Sequence, residues 1–514
     1  MKRILSFLLA SGLIAGMTAC GGTGGSAGAP PASGGSEASG SGGPVTLSIF
    51  IDHSWYPVES FTGIIPEEIT KQTRVTLDPT IAIDANQLGV MMGSGELPDL
   101  VYTQNMIDRM SDPNLAYSYE ELLGQYDTGW EPSAKQLGIA RTFSKDGKAY
   151  TILNHYSEKA DWEGVSSVPM VGSLTYRQDL WKAIGSPKME SLDDLFSVMG
   201  QIKAAYPDVV PLQLNANWNT LVFRNLIGMG ALEYIEQDDG SYIHYTRDER
   251  YKKLLLWLND CYRSGYISTD DAYFVTGSTA IAVDKYFFSC VSTQNSLPSI
   301  NADIAAINPD YISAELVPFK DSSYLTSDLG WSATFITKNN KAPEASIKFI
   351  AWMFTPEAQA LTQMGREGTE YTLSDKGLPE FSDEWKQSIA DGTQDTKYNT
   401  WFYLGGSVIV EANSRCATTD PALVEDAYTA IRERFDNLPW ITAAVPKTGS
   451  DEKVILDKIV ELAKTYEAKV ILADSPELAE AAYNEYLTYA DQTGIKQLEQ
   501  YVSDKVKETM PLFK

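Results

Sequence analysis

The sequence predicts an α/β fold with more than one domain, on three observations. A chain of 514 residues exceeds what one hydrophobic core organises, and at roughly 150 residues per domain it reads as two to four units. Apolar residues make up 43% and charged residues 21%, the balance of a globular protein rather than a disordered one. Between Val45 and Tyr102 strand and helix patterns alternate, which argues for a sheet with parallel members.

The chain begins Met1-Lys2-Arg3, continues with an apolar run from Ile4 to Leu9, and stays small and mostly apolar from Ser11 to Ala19. Residues 1–19 read as a signal peptide, because the apolar stretch is short for a membrane span and the charges precede it. The segment Met17-Thr18-Ala19-Cys20-Gly21-Gly22 resembles the lipobox of a bacterial lipoprotein, with methionine where leucine is usual. That resemblance implies diacylglyceryl and palmitate-type chains on Cys20 and a place on the outer, extracellular face of the cell membrane. The alternative is a secreted protein cleaved near Ala19. Residues 20–43 are almost wholly Gly, Ser, Ala, Pro and Thr. Such a stretch buries no core and is expected to be a flexible tether with a reach on the order of 25–30 Å.

The elements then follow from local pattern. Val45 to Ile51 alternates and then turns continuously apolar, as a strand covered on both faces does. A helix is expected over Ile64 to Thr73 with Pro66 in its first turn, a strand over Arg74 to Leu77, a helix over Ala85 to Gly93, and a strand over Asp99 to Tyr102. Ser191 caps a helix with apolar positions Leu192, Leu195, Phe196, Met199 and Ile202. Pro343 and Pro356 each open a helix at a favourable first position. Ile455, Ile459, Leu462, Tyr466 and Val470 form a helical stripe, and Ser475-Pro476-Glu477 starts a further helix that Gly494 caps. The C-terminal region is therefore helical.

Composition excludes several functions. The formal net charge is −27 with no basic block, so nucleic acid is not an expected partner. Only three histidines occur, which argues against a His-rich metal site; no metal or other cofactor is expected. Cys261, Cys290 and Cys416 are an odd set in the mature chain, expected to be mainly buried and free. Gly24-Gly25-Ser26-Ala27-Gly28 matches a nucleophile elbow but lies in the tether without a preceding strand. Asp238-Asp239-Gly240 reads as a surface turn rather than a calcium loop. Aromatic residues are abundant, with 28 tyrosines and 11 tryptophans.

Gly93-Ser94-Gly95-Glu96-Leu97-Pro98-Asp99-Leu100-Val101 resembles the bacterial extracellular solute-binding proteins of family 1. Leu174-Thr175-Tyr176-Arg177-Gln178-Asp179-Leu180 resembles the strand that enters that family's second lobe. Gly330-Trp331-Ser332-Ala333-Thr334-Phe335-Ile336 resembles the return to its first. Gly365-Arg366-Glu367-Gly368-Thr369-Glu370-Tyr371-Thr372 resembles a signature of the long lipoprotein subgroup serving carbohydrate ABC importers, as do Tyr483, Tyr486, Gly494 and Tyr501. The resemblance implies a two-lobe, periplasmic-binding-protein-like (type II) fold with a hinge and an extended helical C-terminal region. It places lobe one at 45–172 and 329–375 and lobe two at 173–328 and 376–514. It further implies a monomeric, non-enzymatic receptor that delivers an oligosaccharide to ABC permease subunits. The rival reading is a surface-anchored glycoside hydrolase or lyase, which needs two carboxylates across the bond it cleaves.

Sugar recognition uses flat aromatic faces and planar polar side chains. Asp52 and Trp55 follow the first strand and Tyr102 ends the third, at the carboxyl edge where open α/β sheets bind ligands. Trp218 sits among Asn215, Asn217 and Asn219, a polar setting for a large ring, and Asn217 joins it as a candidate. Tyr286, Phe287 and Phe288 occupy a stretch where the family often places an aromatic platform, with at least one expected in the core. Trp331 precedes a strand at the implied hinge. Arg177, Arg366 and Glu367 are the charged candidates, with pairing of Arg177 to Asp179 as the alternative.

Overall fold

The computed structural model describes residues 43–214, 219–268, 285–292, 297–400, 404–447 and 449–513. Cys20 and its tether, Asn217 and Trp218 lie outside the described residues. The chain opens as its pattern predicts, with β1 (Val45–Ile51), a helix at Ile64–Thr73 and β2 (Val75–Ile81). β2 outlasts the predicted strand and contains Pro79. A proline is tolerated there because β2 is an edge, the last strand of the order β11 (Ala333–Ile336), β3 (Leu100–Thr103), β1, β2. β2 and β3 run parallel to β1, whereas β11 is antiparallel to β3. Alternation along β1 sends Leu47, Ile49 and Ile51 into one core with Leu100 and Ile336. It sends Phe50 into another with Val101 and Phe335. Helices Ile64–Thr73 and Pro343–Met353 supply the first core, and Gln87–Ser94 and Ala134–Phe143 the second. Both faces are covered, as the apolar run requires.

A second sheet has the order β5 (Val210–Gln213), β8 (Tyr286–Ser292), β4 (Gly172–Arg177), β9 (Ser313–Glu315). β5 is parallel to β8, and β4 is antiparallel to both β8 and β9. Leu174, Tyr176, Leu212, Phe288 and Ala314 pack on one face with helices Leu192–Ala205, Glu249–Arg263, Asp451–Ile471 and Pro476–Thr493. The Ser191 hydroxyl caps the first of these by accepting the Asp194 N–H at 3.1 Å, as expected. By strand alternation the other face carries Ser173, Thr175, Arg177, Ser289 and Glu315, all buried. Burial of polar groups is costly unless they are paired. Thr175 Oγ1 donates to the Ser289 carbonyl at 3.4 Å, and Arg177 pairs with Asp179 at 2.6 and 2.8 Å. Burial pushes the Glu315 carboxyl up to about 8, with the Ser173 hydroxyl pulling weakly the other way.

The remaining strands form pairs. β6 (Tyr234–Glu236) meets β7 (Tyr242–His244) across a turn in which Asp239 accepts the Ser241 N–H, the surface turn the sequence predicts. β12 (Tyr371–Leu373) meets β13 (Pro379–Phe381). β10 (Tyr324–Thr326) runs parallel to β14 (Phe435–Asn437), in a cluster with Trp162, Val171 and Tyr428. Cys261, Cys290 and Cys416 are buried, and none forms a disulfide among the described residues. Gly494 ends its helix at φ 108°, donating to the Ala490 carbonyl at 3.1 Å. Its left-handed backbone is the reason a glycine stands there.

Two sheets, each with its own core, are the two-lobe arrangement the resemblance implied. The boundary at 376 is corrected. Trp385, Tyr398 and Leu404 belong to the first lobe's core, and Ala443 and Phe513 pack on the other face of the same sheet. Helices Asp451–Ile471 and Pro476–Thr493 do join the second lobe. Apolar spacing shows that a helix has a buried face, but it does not show which of two cores that face meets.

Candidate functional site

β1 and β3 end side by side, with the Asp52 N–H bonded to the Tyr102 carbonyl at 2.9 Å. Beyond that point β1 becomes a polar and aromatic segment, Asp52-His53-Ser54-Trp55-Tyr56. His53 is 4% exposed and stacks on Trp55, with ring centroids 4.9 Å apart. It also lies nearly parallel to Trp331, 5.9 Å away, and edge-on to Tyr102 at 5.4 Å. Trp55 remains 49% exposed and Trp331 is half-buried, so two indole rings present surface to solvent around a buried imidazole. His155 meets Trp331 edge-on at 5.4 Å and extends the wall.

Several hydrogen bonds fix this wall. Asn154 accepts the Trp331 N–H on its carbonyl and the Ser332 N–H on Oδ1, both at 2.9 Å. The Tyr102 hydroxyl lies 2.8 Å from Ser332 Oγ, and burial holds its phenol well above the ordinary range. Gly330 has φ 102°, and a Cβ there would stand 2.6 Å from the Asn154 carbonyl oxygen. Any other residue would push Trp331 off its seat. His155 Nε2 is 3.5 Å from Glu411 Oε2, and Arg415 holds the same carboxylate from the other side at 2.6 Å. Burial opposes ionisation of Glu411, yet the His155 ring and Arg415 hold its carboxyl down at about 2.

Among the described residues, the buried polar atoms without a hydrogen-bond partner include two at the end of β1. Asp52 accepts from Thr103 Oγ1 at 2.8 Å and Asn105 Nδ2 at 3.2 Å through Oδ2, while its Oδ1 is buried without a partner. His53 Nε2 is likewise buried without a hydrogen bond among the described residues. Burial lowers the His53 pKa, with the neighbouring Asp52 opposing that shift, so the neutral imidazole is favoured. Unpaired buried polar atoms carry a free-energy cost that a ligand group can relieve.

The predicted residues divide accordingly. Asp52, Trp55 and Trp331 come together, and Tyr102 lies beneath them as a support rather than an exposed face. Phe287 is corrected to core packing: it is 1% exposed and wedged against Phe288 with centroids 4.5 Å apart. Tyr286 is buried opposite Val210, at the end of β8 far from Ser292, where the chain enters from lobe one through Gly172. Arg177 ends β4 at that same far edge. It is 2% exposed, holds Asp179, and lies 3.9 Å over the Tyr311 ring. Its guanidinium serves the fold. Arg366 clamps its own turn through Glu370 at 2.7 and 3.0 Å, and Glu367 points outward beside it. Sequence reasoning missed His53, Asn154, His155 and Glu411. Rarity was the available signal, since two of only three histidines in the chain meet at this wall.

A hollow of about 520 Å³ lies elsewhere, bordered by Ser166, Lys376, Glu425 and Arg432. Lys376 is paired with Glu425 at 3.1 Å, and Arg432 donates to the Ser166 and Ser167 carbonyls. It offers a ligand little unspent polarity, and the aromatic wall is the better candidate.

Comparison with known proteins agrees with the architecture. The chain is 24% identical over 460 residues to lipoprotein LipO of Bacillus subtilis, covering 78% of this chain and 84% of that one. The alginate-binding protein AlgQ2, solved without calcium ion, superposes with a TM-score of 0.61 at 18% identity, over 91% of this chain and 99% of its own. An HMO-binding, ABC-transporter-associated solute-binding protein of Bifidobacterium longum infantis gives 0.65 at 13% identity, over 90% and 99%. The profile of the bacterial extracellular solute-binding proteins matches residues 68–390, and with most of the chain so matched this protein belongs to that family.

Proposed function

We propose that this protein is a lipid-anchored receptor that captures an oligosaccharide at the His53–Trp55–Trp331 wall and delivers it to an ABC importer. The observation that carries the reading is the wall itself. Two partly exposed indole rings flank a buried imidazole whose Nε2 has no hydrogen-bond partner among the described residues, at the carboxyl ends of the parallel strands β1 and β3. Indole faces suit the C–H faces of sugar rings, and the unpaired polar atoms suit hydroxyls. The relatives support the chemistry: one is described as alginate-binding and another as an HMO-binding, ABC-transporter-associated protein. The lipobox-like Cys20, the signal peptide before it, the tether and the lipoprotein relative support an anchored, extracellular monomer that docks on permease subunits. Asn217 and Trp218 stay in the proposal as ligand-binding candidates, on their sequence setting alone.

The experiment is a thermal-melt screen of the purified protein against defined oligosaccharides, with reducing ends assayed in the same wells. A raised melting temperature without new reducing ends is the expected outcome. Release of reducing ends would replace the receptor with the hydrolase reading, and no shift with any glycan would reject the sugar.

A further inference from the structure

The shape of the aromatic wall narrows the ligand class, on the oligosaccharide reading proposed above. The His53 ring centroid lies 4.9 Å from that of Trp55 and 5.9 Å from that of Trp331, and the two indoles are 6.2 Å apart. An imidazole sandwiched between the indoles would hold them apart by nearly the sum of its own two distances, so His53 instead backs both rings from one side. Its plane is tilted 26° from Trp55 and 15° from Trp331, and these tilts together account for the 41° between the indoles. The ring planes therefore turn in one sense, and the indoles form two neighbouring tiles of a bent platform. We infer that this platform selects glycans whose chains coil, with successive sugar rings inclined to one another, over glycans that extend as flat ribbons.

A sugar ring gains most from an indole when its C–H face lies flat on the ring. Two rings of one chain lie flat on both tiles only if their planes are inclined as the tiles are. Malto- and laminari-oligosaccharides coil and incline successive rings in this way. Cello- and β-manno-oligosaccharides keep successive rings near one plane, so a ribbon seated on one indole stands off the other. The close spacing of the tiles suits adjacent units of one chain rather than distant ones. Their bend is also fixed before a ligand arrives. Tyr102 stands edge-on to His53 at 5.4 Å and to Trp331 at 6.3 Å, and the Asn154 carbonyl holds the Trp331 N–H at 2.9 Å. With the site preorganised, a flat chain must itself bear the cost of bending, and a coiled one does not.

Calorimetric titration of the purified protein with tetraoses of equal length tests this. Maltotetraose and laminaritetraose are the coiled probes, and cellotetraose and β-mannotetraose the flat ones. At least one coiled probe is expected to bind, and each flat probe at least ~30-fold more weakly, the effect of losing one aromatic anchor. Trp55→Ala leaves a single tile and is expected to bring the two classes within about threefold of each other, because specificity is a difference between affinities. Trp55→Tyr keeps a flat face there and is expected to keep the gap. A flat probe that binds as tightly as the best coiled one overturns the inference and leaves the oligosaccharide reading standing. A gap that survives Trp55→Ala overturns its basis in the two tiles. Binding by no tetraose, beside a melting shift with some other glycan, overturns the inference alone. No response to any glycan removes the reading beneath it as well.

Discussion

Asp52 at the end of β1 and Arg177 at the end of β4 hold comparable places in their sheets: each is a buried charged residue where a strand stops. Arg177 finds its partner two residues on, in Asp179, and lays its guanidinium over Tyr311. Asp52 satisfies one oxygen through Thr103 and Asn105 and leaves the other open, beside a histidine in the same condition. The first arrangement consumes its polarity internally, and the second holds some back. A charged residue at a strand end thus becomes structural when its own segment supplies the counter-charge. Asp52, with aromatic rings beside it instead, keeps a buried oxygen without a hydrogen-bond partner among the described residues.

The comparison breaks most visibly if Arg177 turns out to act on ligand. Asp179→Ala leaves a buried guanidinium without its carboxylate and is expected to cost about 3–5 kcal/mol of folding stability. Denaturant unfolding measures that loss, while glycan affinity of the folded variant stays at the parent value. An affinity loss with stability intact would move Arg177 into the site.

Glu315 sharpens the same contrast from the buried side. The fold holds its proton up to about 8, whereas the free side chain releases it near 4.5. Folding therefore takes up a proton across that window, and stability falls as pH rises through it, levelling off above about 8. Glu315→Gln removes the titrating group and is expected to flatten that slope, with a gain on the order of 5 kcal/mol at the alkaline end. Melting curves taken through the window decide it, and an unchanged slope would place the titration on another group.

Trp55→Ala has the smaller cost and the opposite pattern. An exposed indole leaves no cavity, so stability should fall by less than about 1 kcal/mol. Loss of an aromatic anchor costs about 2–4 kcal/mol of binding, or roughly 30- to 1,000-fold in affinity. Titration and melting of the same variant separate the two, and unchanged affinity would remove Trp55 from the wall.

These outcomes bear on how far the site was legible in sequence. The positions of Asp52 and Trp55 after one strand and of Trp331 before another were legible because strand ends are local features. Phe287 was not separable from a platform residue, because an aromatic in a strand reads the same whether its ring meets a core or a cleft. His53 was invisible because its place in the candidate site rests on contacts with Trp55, Tyr102 and Trp331, two of them distant in the chain. Arg366 and Glu367 drew notice through a signature whose Gly365 and Glu370 close a turn.

By itself the sequence determined the elements whose signals are short-ranged. β1 follows from its alternation, the helix after Ser191 from its cap, the helices at Pro343 and Pro356 from a fixed φ, and the stop at Gly494 from a left-handed backbone only glycine adopts readily. Tertiary structure alone decided which charges were spent and which stayed open, because pairing depends on distances between segments remote in sequence. It also decided that Trp385, Tyr398 and Phe513 return to the first lobe. Burial of an apolar face is non-directional, so the same stripe satisfies either core, and only the path of the whole chain selects between them.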